Sequence, residues 1–189
     1  CIPLIVDFLY KWEEKKGLLN LDVSYRNDIV TEYTPLEGAT TAFNDEALYE
    51  PGYTQVVYLK IENNGDVDFR YKVAVTVNKV ITGKNAMGGD IYLPNYLRYG
   101  VVFAETEEQL RQAVKDRLAA RELAPNNWLG TWSDISPYIF EAGETAHYAA
   151  LIVYMPEEVG NIANYRGFVQ PKVELGITVF AQQANAPME

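Results

Sequence analysis

The sequence predicts an all-β protein, an antiparallel β-sandwich with one inserted α-helix, folded as a single domain over residues 1–189. Apolar and polar residues alternate with a period of two in several separate segments, which is the pattern of strands with one buried face. Aromatic residues make up 13% of the chain, and they favour strands. Only one segment has helical spacing, so nothing indicates the strand–helix alternation of a parallel sheet.

The clearest strands flank an Asn-Gly pair. Apolar residues occupy every second position from Val57 to Ile61 and again from Val67 to Val77, with Asn64-Gly65 between the two segments. Asn-Gly between alternating segments is the strongest short-range hairpin signal. We therefore predict two adjacent antiparallel strands that pair with each other in the middle of a sheet.

The other strands follow from the same alternation. We expect them at residues 18–26, 97–104, 146–155 and 171–181, with shorter pieces between, for seven or eight strands in all. Residues 146–155 are apolar on both faces, which predicts a central strand. Residues 1–17 form an N-terminal arm, and residues 81–140 form an insertion that interrupts the strand pattern.

The insertion carries the predicted helix, at about residues 106–123. Thr106 and Gln109 have the spacing of a capping box, and acidic residues occupy the first turn. An apolar stripe at helical spacing follows, and Pro125 ends the helix.

Charge and cysteine content limit the classes of partner. The formal net charge of −10 argues against nucleic acid, which needs a basic face, and against electrostatic docking on anionic lipid. No apolar window is long enough for a membrane span. The single cysteine, Cys1, excludes an internal disulfide. Cys1 is either a lipidated N-terminus or the result of trimming.

Two segments share a further pattern. Pro51-Gly52 precedes Ile61-Glu62-Asn63-Asn64-Gly65-Asp66 by about ten residues, and Glu141-Ala142-Gly143-Glu144 leads through a strand to Met155-Pro156-Glu157 and a final strand at 174–183. Residues 18–80 and 141–183 thereby resemble the TasA and camelysin family. The resemblance implies a jelly-roll-like sandwich, secreted by Gram-positive bacteria after loss of a signal peptide, at the cell surface or in the biofilm matrix.

The resemblance also implies a mode of assembly. In fibre-forming members an N-terminal segment completes the sheet of the next subunit. Here the apolar residues Ile2, Leu4, Val6 and Phe8 are the predicted donor segment, because strand addition places alternate side chains in pockets. The expected function is non-enzymatic, structural or adhesive, through self-association or other surface and matrix proteins. An intramolecular edge strand or helix is the open alternative for this segment.

A carbohydrate-binding module is the second expected function. Trp128, Trp132 and Tyr138 lie close together in a loop-rich segment, and aromatic rings of this kind stack on the apolar faces of sugars. The alternative is a hydrophobic plug beneath the insertion, since large aromatic side chains are usually buried.

Enzymatic chemistry has little support in the sequence. A metallopeptidase is the third hypothesis for the function, because camelysin was named as one. However, His147 is the only histidine, and no His-Glu-x-x-His motif is present. Ser24, Ser133 and Ser136 have no Gly-x-Ser-x-Gly context. Any triad would need the same His147. We expect no cofactor.

A calcium site is a weak candidate at the Asn-Gly turn. Glu62, Asp66 and Asp68 supply the hard oxygen ligands that calcium prefers. Their spacing is not that of an EF-hand, and a solvated turn explains them equally well.

Overall fold

The computed structural model has two antiparallel sheets packed face to face, which confirms the predicted all-β sandwich with a small helical insert. It describes the backbone of residues 8–9 and the residues of 21–28, 30–39, 42–43, 50–143, 146–163 and 165–184. Within that part of the chain the strands are β1 (Phe8–Leu9), β2 (Leu21–Arg26), β3 (Thr34–Pro35), β4 (Thr54–Asn63), β5 (Phe69–Ile81), β6 (Gly83–Lys84), β7 (Asp90–Ile91), β8 (Arg98–Ala104), β9 (Asn127–Trp128), β10 (His147–Tyr154) and β11 (Lys172–Gln183). The helices are α1 (Glu107–Ala113) and α2 (Arg117–Leu123), with 3-10 turns at Leu93–Asn95 and Glu157–Ala163.

The larger sheet has six strands in the order β3-β2-β4-β10-β8-β9, and the smaller has three in the order β1-β11-β5. All neighbours are antiparallel except β1 and β11, which run parallel. β6 and β7 form a separate two-stranded ribbon. Inward-facing side chains of the two sheets meet in one main core. This is the sandwich arrangement, in which alternate residues of each strand are buried.

The predicted hairpin is wrong in its pairing. β4 pairs with β2 and β10, whereas β5 pairs with β11, so the two strands lie in opposite sheets. The connection at residues 64–68 crosses between the sheets around Asn63, which is buried. The Asn63 amide nitrogen donates to the carbonyls of Val67 (2.9 Å) and Phe140 (3.4 Å), and its Oδ1 accepts from Gly65 N–H (3.0 Å). Both strands still bury their predicted faces, because they contact the same core from opposite sides.

Two short helices replace the single predicted one. Thr106 caps α1 as expected, accepting a hydrogen bond from Gln109 N–H, while the Gln109 side chain accepts from Glu105 N–H. The helix ends at Val114, whose backbone leaves the helical region. Asp116 then caps α2 by accepting from Ala119 N–H at 2.7 Å. A second cap inside the periodic segment therefore divides it.

The helices cover the outer face of the larger sheet. Leu110, Val114 and Ala120 pack with Ala150 and Ile152 of β10 in a second apolar cluster. β10 lies between β4 and β8 and is buried on both faces, which confirms the prediction of a central strand. No helix in the described part of the chain is long and apolar enough to cross a membrane.

Candidate assembly edge and other candidate sites

One edge of the smaller sheet is covered by residues 127–140, which we call the strap. The strap begins beside β8 at the edge of the larger sheet and then runs along β5. Four of its N–H groups donate to β5 carbonyls at 2.7–2.8 Å: Gly130 to Val75, Ser133 to Val73, Ser136 to Tyr71 and Phe140 to Phe69. The strap thus covers this edge of β5 from Phe69 to Val75.

Tyr99 of β8, in the larger sheet, contacts both the strap and β5 of the smaller sheet. Its hydroxyl donates to the Thr131 carbonyl and lies 3.2 Å from the Val73 carbonyl of β5. The side chain is fully buried. Burial raises the pKa of Tyr99 to about 12, with the Thr131 contact acting in the opposite direction.

The opposite edge of the smaller sheet is the outer side of β11, which we call the acceptor edge. Its strand neighbour is β1, paired in parallel at Phe8 with Val179 and at Leu9 with Phe180. Among the described residues, no strand pairs with residues 172–178 on this side. The inward side chains beneath the edge are buried: Val173, Leu175, Ile177 and Val179.

Of the four predicted donor residues, Phe8 has a described backbone, and it lies on the acceptor edge. Ile2, Leu4 and Val6 lie outside the described residues. The pairing of β1 is within one chain, as the alternative of an intramolecular edge strand expects.

The predicted aromatic site is divided. Trp128 is half exposed and stacks on Arg98, whose Cζ lies 3.4 Å from the ring centroid. Trp132 packs edge-on against Phe180 of β11, with 6.0 Å between centroids, and Lys72 Nζ lies 5.2 Å from both rings. Tyr138 instead faces His147. The sequence predicted neither Lys72 nor Phe180 as part of this site, because they come from strands distant in the chain.

The acidic residues at residues 62–68 have protein partners. Glu62 contacts the Lys60 ammonium at 3.2 Å, and this contact raises the pKa of Lys60. Asp68 accepts a hydrogen bond from Ala142 N–H at 2.8 Å, and Asp66 also has an interaction. Within the part of the chain that the structure describes, no group of three His, Cys, Asp or Glu side chains has the arrangement of a metal site.

Three of the residues weighed for catalysis make contacts within the fold. His147 is buried and stacks on Phe140 with 4.1 Å between ring centroids. Ser133 Oγ accepts from Val73 N–H and donates to the Asp134 carbonyl. Ser136 Oγ donates to the Tyr138 carbonyl. Both serine hydroxyls therefore hold the strap in place.

A cleft of about 480 Å³ lies between α2 and the turn at residues 50–54. Both of its arginines are paired, since Arg121 contacts Glu157 at 3.0 Å and Arg117 contacts Asp28 at 2.5 Å. Burial raises the pKa of Tyr53 in its wall, while Arg117 acts in the opposite direction. Sequence reasoning missed this cleft because its residues come from three distant segments with no common pattern.

Comparison with known protein families found no family that matches this chain, and comparison with curated proteins found no matching relative. The class that the structure defines is an antiparallel β-sandwich with a helical cover, in which the strap lies along β5 and β1 pairs with β11. The resemblance to the TasA and camelysin family stays a prediction.

Proposed function

We propose that this chain is a secreted structural protein of the cell surface or biofilm matrix whose subunits assemble by strand exchange at the acceptor edge. The observation that carries the proposal is the parallel pairing of Phe8–Leu9 with Val179–Phe180, beside an otherwise unpaired run of β11 in the described structure. A long sheet edge with free N–H and C=O groups is a template for pairing with another chain.

The register of β1 on β11 predicts which residues of the arm would lie opposite which residues of β11. Phe8 opposes Val179, an offset of 171 residues, and a parallel pair keeps a constant offset. Continuing it would place Ile2, Leu4 and Val6 opposite Val173, Leu175 and Ile177. All three of these β11 side chains point into the core. The apolar residues Ile2, Leu4 and Val6 would therefore lie on the same face as these buried β11 side chains.

The strap supports the choice of edge. It already supplies hydrogen-bond partners to β5, so a donor strand has one edge of the smaller sheet to join. Replacing an intramolecular β1 by the same strand of a neighbour conserves its main-chain hydrogen bonds with β11 and needs no new fold.

Deletion of residues 1–10 tests whether the arm drives assembly. We expect the full chain to form filaments visible by negative-stain microscopy and the deleted chain to form none. A matched pair of point variants tests the register: Val6→Lys puts a charge on the predicted inward face and should abolish filaments, whereas Ile5→Lys on the opposite face should retain them. Filaments of unchanged yield from the deleted chain would refute the proposal.

A disulfide trap decides whether the strand comes from the same subunit or from a neighbour. Leu9→Cys and Phe180→Cys are introduced together in a Cys1→Ser background, since paired Cα positions are within disulfide reach. Exchange predicts a ladder of covalent oligomers on a non-reducing gel. Covalently closed monomer alone would show a strand that stays in its own subunit. Leu9→Cys with Lys60→Cys, on the other sheet, is the control that should give neither product.

Glycan binding is a second candidate, favoured by one observation on the outer face of the smaller sheet. Trp132, Phe180 and Lys72 form an aromatic platform with a cation beside it, and Trp132 is 39% exposed. Such a platform can stack on a sugar ring while the ammonium contacts its polar groups. A glycan array would detect binding that Trp132→Ala removes. Trp128→Ala serves as the comparison, because Trp128 stacks on Arg98 instead.

A further inference from the structure

The described part of the chain concentrates its exposed apolar side chains at one end of the sandwich. Of the twelve large apolar side chains that are exposed, seven belong to residues 81–92, 162–163 and 165–172, which we call the tip. They are Ile81, Met87, Tyr92, Ile162, Tyr165, Phe168 and Val169. Exposed apolar groups scattered singly need no explanation, but a cluster of this kind marks an interaction surface.

Hydrogen bonds join the segments of the tip to one another. Tyr165 bridges to Asn85, and Arg166 N–H donates to the Lys84 carbonyl at 2.7 Å, which adds a third segment to the β6–β7 ribbon. Asn85 Oδ1 accepts hydrogen bonds from Met87 and Gly89 N–H, both at 2.9 Å, and so orders the ribbon's turn. The apolar side chains are therefore presented on a hydrogen-bonded framework.

The charge of the tip is opposite to that of the rest of the chain. Its charged residues are Lys84, Asp90, Arg166 and Lys172, so its formal charge is +2 and the remaining residues carry −12 of the total of −10. Asp90 is paired with Lys84 at 2.5 Å. Arg166 and Lys172 are both exposed. The net charge of the whole chain argues against docking on anionic lipid. The tip has a positive formal charge, so this argument does not apply to it.

The shape and composition of the tip suit a lipid surface. Phe168 is fully exposed, directly after Gly167 at φ +117° in the turn between Arg166 and Val169. A protruding ring needs a matching pocket on a protein partner, whereas a fluid bilayer adapts to it. Tyrosine rings and long basic side chains prefer the boundary between headgroups and acyl chains. Tyr92, Tyr165, Arg166 and Lys172 supply such groups around Phe168 and Val169.

We propose that the tip docks on a lipid bilayer, with Phe168 and Val169 entering the headgroup boundary and Arg166 and Lys172 contacting lipid phosphates. The acidic remainder of the chain is repelled by anionic lipid, so the molecule approaches the membrane with this end. Docking of this kind does not use the strap, and it meets the acceptor edge at Lys172, the first residue of β11. It does not depend on the assembly proposed above.

Flotation with vesicles tests the proposal on the full chain. One set contains phosphatidylcholine alone, and the other contains phosphatidylcholine with phosphatidylglycerol. We expect the wild-type chain to float with both sets, and more strongly with the anionic one. Phe168→Ser with Val169→Ser should lower the bound fraction on both sets at least tenfold, because the apolar contribution to binding scales with inserted area. Leu123→Ser is the matched control, since Leu123 is 52% exposed and Val169 is 54% exposed.

The basic residues give a separate readout. Arg166→Gln with Lys172→Gln should weaken binding to the anionic vesicles about fivefold per cation and leave neutral vesicles unaffected. Wild-type protein that floats with neither set, or a Phe168→Ser/Val169→Ser variant that floats like wild type, would overturn the proposal. A variant that instead loses self-association in lipid-free sedimentation velocity would also overturn it, because the tip would then be a contact between copies.

Discussion

Asn63 is expected to be a major determinant of stability, although a hairpin would place it in a solvated turn. Its side chain is 5% exposed and makes three hydrogen bonds, to Val67 O, Phe140 O and Gly65 N–H. Replacement by alanine removes all three and leaves the Val67 carbonyl and the Gly65 N–H without that partner. At about 1 kcal/mol for each bond, the free energy of unfolding should fall by about 2–4 kcal/mol.

The neighbouring asparagine provides the control for this change. Asn64 is exposed, and its amide contacts the Asp22 carboxylate at the surface. Asn64→Ala should therefore change the free energy of unfolding by no more than about 0.5 kcal/mol. Urea unfolding followed by circular dichroism measures both variants. A loss below about 1 kcal/mol for Asn63→Ala, or equal losses from the two variants, would refute the buried connection between the sheets.

Three further changes test the strap, the packing and the helix break. Burial raises the pKa of Tyr99 to about 12 and also raises the pKa of Tyr71, so the stability that their neutral forms contribute is present below about pH 10 and lost as the pH rises toward 12. Urea unfolding across that range should show this fall, and Tyr99→Phe should reduce its slope; an unchanged slope would contradict the contribution of Tyr99. Gly100→Ala places a Cβ 2.6 Å from Pro125 N and should cost about 1–3 kcal/mol, whereas Gly89→Ala meets only the Asn85 side chain at 3.1 Å and should cost less. Thermal unfolding compares the two, and equal shifts would argue against the close contact. Asp116→Ala removes the cap of α2 and should cost about 1 kcal/mol, against little change for the exposed Glu122→Ala; equal stability of the two variants in urea would show that the cap contributes nothing.

The alternation of residues determined which faces of the strands are buried but not which strands pair. Val57 and Ile61 of β4 and Val73 and Val75 of β5 are all buried, as the pattern predicts. The period of two is the same whether a strand pairs with its sequence neighbour or packs opposite it. Asn64-Gly65 suits either connection. In the structure the connection crosses between the sheets, and the buried Asn63 side chain contacts Phe140, a residue far along the chain.

For the candidate sites too, local sequence patterns did not predict which distant residues come together. The sequence left the arm open between a donor strand, an intramolecular edge strand and a helix, and the position of Phe8 on β11 became evident only with the order of the smaller sheet. The two helices share one helical periodicity, so Asp116 was hidden as a cap within it. The platform of Trp132, Lys72 and Phe180 joins residues that no local pattern connects. Local chemistry was readable in the sequence, and long-range juxtaposition was not.

In the assembly proposed above, the strap limits how many strands each subunit can accept. Because the strap is already hydrogen-bonded to β5, each subunit would have one acceptor edge in its smaller sheet and one donor segment. Monomers with one donor and one acceptor form unbranched polymers whose two ends differ. A chain without residues 1–10 keeps the acceptor and lacks the donor, so it would act as a terminator when mixed with full-length chain. In that case the average filament length should vary inversely with the fraction of truncated subunits.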